Sequence, residues 1–444
     1  MTTLFAPLFA PARLREAVSE RAWVQAMLET EAALAAAEAD AGLIPAAAAE
    51  AIGAACRAGA VGHTGLGDRS LGAGNPVVPL VDALRAAVGS DAAGYVHWGA
   101  TSQDVLDTAA MLVARRALAL IGEELDGVAR ACAALAREHA ETLMAGRTLL
   151  QQALPITFGL KAAGWLDATL DARGGLRRAR LDVQLGGAAG TLAALGDAGP
   201  PVAAAVAERL GLGAPGLPWH TARGRVAELG AALAVAAGAM GKAALDLVLL
   251  AQTEVGEVVA GAGGSSTLPH KRNPIGAVRA RACAERVPPL AALLLAAMAQ
   301  EHERGAGGWH AEWEPLTQAL ALTGGAAAAV RETLEGLEVR PDRMRANLEA
   351  TGGRLLAERI VLALAPVAGR AEADAAVQAA AAQTGSFRGA LLAQPVVAAQ
   401  LDGAALDTLL DPAGYLGATA TFIAHALSRC DREPADAERA EEDS

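Results

Sequence analysis

Aromatic side chains are scarce: Phe, Trp and Tyr make up 3% of the 444 residues. Sandwiches and barrels lean on aromatic and β-branched residues, so an all-β core is excluded as the expectation. Cysteine is scarce too. Cys56, Cys132, Cys283 and Cys430 are far apart and form no C-x-x-C pair, which leaves no zinc or dithiol motif. Three of them stand in apolar, helix-like stretches and read as core thiols. Positive charge is in deficit, with 37 Lys and Arg against 49 Asp and Glu and a net charge of -12. No basic field would draw in nucleic acid, although a local positive pocket for an anionic substrate is still allowed. Met1–Arg13 has no basic stretch ahead of its short apolar run, and the longer apolar runs are brief or are cut by Lys242 and Asp246. Neither a signal peptide nor a membrane span is expected, and a cytoplasmic location follows.

Hydrophobic residues make up 53% of the chain, much of it Ala and Leu. Such a composition favours close-packed helices, so the expected class is all-α. The length calls for more than one domain. Residues 1–103 read as short helices with turns. Leu118, Ile121, Leu125, Val128, Cys132 and Leu135 step by three and four residues, as on one face of a long helix. A helix over Asp104–Leu143 would be ~60 Å long. Further long helices are expected near 156–183, 222–260, 274–303 and 311–337, with Pro288, Pro289 and Pro315 kinking or interrupting two of them. These five helices form the central domain, 104–340. A narrow Ala-rich bundle has much apolar surface to bury against copies of itself. Residues 341–431 form a smaller helical domain, and the charged tail 432–444 is expected to be disordered.

Five segments hold residues suited to chemistry. Gly261–Pro274 places three glycines, Ser265 and Ser266 beside Lys271 and Arg272, with Asn273 and Pro274 at a helix start. Cations and a helix N-terminus next to hydroxyls suit a carboxylate and the enolate-like charge that forms beside it. Tyr95–Asp104 carries Thr101-x-x-Asp104, a capping pattern whose Thr101 and Ser102 hydroxyls offer a second anion seat. Met144–Pro155 reads as a polar turn between helices, with Arg147, Thr148, Gln151 and Gln152 available to a ligand. Gly186–Thr191 is glycine-rich, but no strand precedes it and no P-loop lysine follows, which excludes a nucleotide loop. Gln300–Trp313 holds His302 and His310 at a spacing that matches no metal-ligand set.

Taken in order, these segments resemble the fumarase/aspartase superfamily, the loop being similar to its G-S-S-x-M-P-x-K-x-N-P motif with Leu268 in place of Met. The resemblance implies three helical domains and a central five-helix bundle. It also implies a homotetramer with a 20-helix core, whose active sites are each shared between subunits. It makes Ser265 the general base, with Lys271 and Asn273 on a substrate carboxylate and Thr101, Ser102 and Thr148 as further binding residues; Gln151 and Arg304 join them as candidates. The usual member has a His after the binding Thr, serving acid chemistry at the leaving group. Here that position is Leu149, and Asn75 stands where adenylosuccinate lyases have another His.

An amine or hydroxide leaves poorly without a proton, whereas a carboxylate leaves unaided. The departures therefore point to the branch of 3-carboxy-cis,cis-muconate cycloisomerases. This chain resembles that branch in G-N-P-V-V-P-L-V, H-W-G-A-T-S-Q-D and E-H-E-R-x-x-G-G-W-H-A-E-W. Asp374, where the branch has His, and Leu149, where it often has Trp, depart from it. The substrate implied is a small polycarboxylate, and no metal or organic cofactor is implied.

Overall fold

The computed structural model describes residues 4–59, 61–261, 263–264, 268 and 270–442. Among the described residues the fold is all-α apart from three two-stranded ribbons. The helices that matter below are α1 (Glu20–Asp40), α2 (Val77–Val88) and five long ones. These are α3 (Ser102–Glu138), α4 (Phe158–Arg177), α5 (Gly224–Leu250), α6 (Ile275–Ala296) and α7 (Trp313–Glu335). All five overlap the expected spans, but the first ends at Glu138 rather than Leu143 and the third at Leu250 rather than Ala260, where the chain is a strand. The last helix, α8 (Thr419–Glu442), runs on past Arg432 into the tail expected to be disordered; Ala, Glu and Arg there are good helix formers.

Two further differences have local causes. α6 is not interrupted at Pro288 and Pro289, both of which are exposed, so their rings lie away from the packed face. Pro315 is the third residue of α7, in the first turn, where no intrahelical N–H partner is needed. The expected polar turn at Met144–Pro155 is instead a β-hairpin, β1 (Leu143–Thr148) and β2 (Gln151–Thr157). Pro155 is tolerated because a two-stranded ribbon is all edge.

The chain divides into two compact units, with boundaries inside the long helices. The first comprises Met1–Leu125, Ala172–Gly241 and Arg279–Ala329; the second comprises Asp126–Asp171, Lys242–Val278 and Val330–Ser444. Small residues set the packing in the first. A Cβ on Gly325 would lie 1.7 Å from the Phe9 carbonyl oxygen, so only glycine lets the N-terminal segment lie on α7. The second holds a separate apolar cluster around Ile360, Leu364, Val377, Phe387, Leu391 and Leu406. By length and composition alone α5 is long and apolar enough to cross a membrane. Its buried Leu233, Ala236, Ala237, Met240 and Leu247 are those of a core helix, and Val235 and Leu245 remain exposed.

One buried group has a pH-dependent consequence. Glu38 on α1 is fully buried, and neither carboxylate oxygen has a partner among the described residues. Burial, then the charge of Glu31, pushes its carboxyl from 4.5 up to about 8. The folded chain thus keeps a proton that the unfolded chain releases above pH 4.5. Stability from this group is full below that pH and falls by about 1.4 kcal/mol per pH unit until the folded group also ionises. Glu38→Gln is expected to flatten that slope, raising stability by about 3 kcal/mol at pH 7 and by little at pH 4.5. Urea unfolding at the two pH values checks this; an equal change at both would refute it.

Candidate active site

In the first unit the site is built on the start of α3. The expected capping pair is present in one direction: the Thr101 N–H donates to Asp104 Oδ2 at 3.0 Å. Asp104 does more than cap. Its Oδ2 also accepts from the Gly187 N–H at 2.9 Å. Its Oδ1 accepts from the Gly186 N–H at 3.0 Å and lies 2.6 Å from His220 Nε2. The glycine-rich run rejected as a nucleotide loop therefore turns its amides onto a buried carboxylate. A Cβ on Gly186 would lie 2.5 Å from His220 Cε1, and Gly187 has φ +66°, so both positions require glycine. Arg304 Nη1 donates to the Glu303 carbonyl at 2.6 Å and Nη2 to the Gly187 carbonyl. Burial pushes the Arg304 guanidinium down from its usual range, and Asp104 and Asp107 oppose this. Thr101 and Arg304 are thus linked through Asp104 and Gly187, and Ser102 opens α3 next to Thr101.

One helical turn further in, Asp107 accepts from Arg223 at 2.7 and 3.0 Å and from Trp309 Nε1 at 3.0 Å. Arg223, only 2% exposed, also bonds Glu312 at 2.5 to 3.1 Å, and Gln300 Nε2 donates to Glu312 at 3.1 Å. Burial drives the Glu312 carboxyl upward while Arg223 pulls it back. Beneath the cluster is therefore a buried layer of one guanidinium between two carboxylates. Asn75 Oδ1 accepts from the Val77 N–H at 3.0 Å and so helps start α2. His97, at φ 64°, lies 2.6 Å through Nδ1 from the buried Glu31.

In the second unit the hairpin turns at Leu149 and Leu150, φ 49° and 64°. Both central residues of a two-residue turn lie in the left-handed region, a geometry that favours Asn and Gly and strains leucine by roughly 1 kcal/mol or more per residue. Leu149 is 97% exposed, flanked by the facing pair Thr148 and Gln151, both exposed. Arg147 is drawn inward, making two bonds to the fully buried Glu257, at 3.0 and 2.6 Å. Asn347 Nδ2 donates to the same carboxylate at 2.8 Å, and Gln152 Nε2 donates to the Asn347 carbonyl at 2.9 Å. Burial also lowers the affinity of Lys161 for its proton, opposed chiefly by Asp246.

Glu257 leads into strand β3 (Val258–Ala260), which enters the loop. Gly263–Gly264 (β4) pairs with Arg272–Asn273 (β5), Gly263 facing Asn273. Lys271 is exposed, and its N–H donates to the Leu268 carbonyl at 3.0 Å. α6 begins one residue later than expected, with the Pro274 carbonyl accepting its first bond from Val278 at 2.9 Å and Asn273 in the strand. Ser265 lies outside the described residues, as does Ser266. His220, Asp107, Arg223, Trp309 and Glu312 were not expected from the sequence. The signal available was two carboxylates at i and i+3, Asp104 and Asp107, just ahead of the apolar run 109–114.

Residues 10–288 match the family described as Lyase, and residues 353–426 match Adenylosuccinate lyase C-terminus. The chain belongs to this lyase family. Among lyase-family relatives, a 3-carboxy-cis,cis-muconate cycloisomerase of Bradyrhizobium diazoefficiens is 46% identical, covering 98% of this chain and 99% of its own length. A nitrosuccinate lyase of Streptomyces davaonensis is 48% identical, covering 97% and 95%. Of solved structures, the 3-carboxy-cis,cis-muconate lactonizing enzyme of Pseudomonas putida superposes with TM-score 0.91 at 44% identity, covering 97% of this chain and 99% of that one. The all-α fold and the resemblance to this superfamily are thus borne out.

Proposed function

We propose that the chain is a cytoplasmic cycloisomerase that interconverts 3-carboxy-cis,cis-muconate and a carboxymuconolactone in aromatic catabolism. The observation that carries this reading is Leu149: an exposed hydrocarbon stands at the hairpin tip where a leaving-group acid belongs. A reaction whose leaving group is a carboxylate has no need of that acid. The relatives named above support it.

In the lactonising direction, one substrate carboxylate oxygen forms a C–O bond to an alkene carbon, and the π electrons move to the carbon beside a second carboxylate. Lys271, Asn273 and the start of α6 hold the resulting charge, and Ser265 delivers a proton to that carbon. In reverse, Ser265 as alkoxide removes the proton and the ring C–O bond breaks. Serine is a weak base in water, so nearby cations and dipoles in a closed site must poise it. Thr101, Ser102, Arg304, Thr148 and Gln151 hold the remaining carboxylates. The proposal includes a homotetramer with shared sites, supported by the exposed Val235 and Leu245 on α5. It also includes division into 1–103, 104–340 and 341–431 with a tail.

A second reading has its own support. Nitrite, like a carboxylate, is a weakly basic leaving group, and the nitrosuccinate lyase is 48% identical to this chain. Purified protein offered 3-carboxy-cis,cis-muconate and nitrosuccinate separately decides between them. Loss of the conjugated-diene absorbance is expected; nitrite and fumarate release without diene loss would replace the cycloisomerase reading with the second.

A further inference from the structure

We propose that Asp104 is the positioning residue of a carboxylate seat made by Thr101, Ser102 and Arg304, with His220 as its fourth hydrogen-bond donor. The proposal rests on reading those three residues as substrate contacts, and it adds what holds them in place. Asp104 is 1% exposed and touches four donors, two on each oxygen. The three backbone N–H groups donate to Asp104 whatever the state of the imidazole, and His220 Nε2 donates in the tautomer that carries its proton there.

Each bond fixes a different part of the seat. The Thr101 N–H belongs to the residue whose hydroxyl is to meet substrate, and the next residue, Ser102, begins α3. The Gly186 and Gly187 N–H groups fix a turn whose Gly187 carbonyl takes the Arg304 guanidinium. His220 closes the carboxylate from the far side, and its own carbonyl accepts from Gln103 Nε2 at 2.8 Å, next along α3. Segments near 101, 187 and 304, distant in sequence, are thereby held by one buried carboxylate that does not itself meet substrate. The Arg223 layer one turn deeper is anchored through Asp107, and Gln103 Nε2 bridges the two by donating to both Asp107 and the His220 carbonyl.

Asparagine cannot substitute. Whichever way its amide turns, the NH2 faces at least one backbone N–H, either those of Thr101 and Gly187 or that of Gly186, where His220 accepts only by changing tautomer. Asp104→Asn is expected to raise KM for 3-carboxy-cis,cis-muconate by about 10- to 100-fold, with a smaller change in kcat. Arg304→Ala in that background should add much less than it does in the parent, because the displaced Gly187 carbonyl no longer aims the guanidinium. A merely structural role would lower the melting temperature but leave KM and the Arg304 effect untouched. If Asp104→Asn does not fold, His220→Gln, which leaves the three backbone donors in place, carries the test with a smaller rise in KM of the same kind. A folded variant with parental KM and an additive Arg304 effect would overturn the proposal. Parental KM in both Thr101→Ala and Arg304→Ala would instead overturn the reading of those residues as substrate contacts, and the proposal with it.

Discussion

Arg223→Met is expected to destabilise the protein by about 3–5 kcal/mol, the range for removing one partner of a buried ion pair. The guanidinium lies between Asp107 and Glu312, and all three are nearly excluded from solvent. Without it, Asp107 keeps the Trp309 and Gln103 donors and Glu312 keeps Gln300, but two negative charges lose the cation bonded to both. Glu312, whose carboxyl burial already drives upward, would take up a proton first. Adding Glu312→Gln should therefore recover part of the loss, a non-additive result that urea unfolding of the single and double variants would display. Arg223→Lys should rescue poorly, because a point charge cannot serve two carboxylates in paired geometry. A loss below about 1 kcal/mol for Arg223→Met would mean that the layer is not an energetic unit.

The second large effect is catalytic. Ser265→Ala should lower kcat by about 10²- to 10⁴-fold, the usual contribution of a positioned proton-transfer group. KM should change little, because the carboxylates are held by other residues. Thr148→Ala should do the opposite, raising KM with kcat nearly kept. Steady-state kinetics on one substrate separates the two patterns. Retention of most kcat by Ser265→Ala would remove the serine from its proposed role.

How far the sequence could be read depended on the reach of each signal. α3 to α7 were legible because their apolar spacing is sustained over many turns. The hairpin was not: its turn is Leu149-Leu150, without the Asn or Gly that marks a two-residue connection, and each strand is only six or seven residues long. Asn75 and Arg147 were read as ligand-facing or substituted site positions, and local folding uses both, one as a cap and one as the partner of Glu257. The buried layer was invisible for a different reason. Asp107, Arg223 and Glu312 are about a hundred residues apart in succession, so only the folded chain shows that they neutralise one another. Thr101 and Arg304 were legible as candidates, but the carboxylate that links them had been assigned nothing beyond a cap.

On the function proposed above, this lyase-family site works without a leaving-group acid. The most direct measurement compares turnover by purified protein on two kinds of substrate. One kind expels a weak base, as 3-carboxymuconolactone opening expels carboxylate and nitrosuccinate expels nitrite. The other expels a strong base, as adenylosuccinate and argininosuccinate do. Turnover confined to the first kind is the predicted result. Fumarate release from adenylosuccinate or argininosuccinate at a comparable rate would contradict it, because an acid that Leu149 cannot supply would then have to be present.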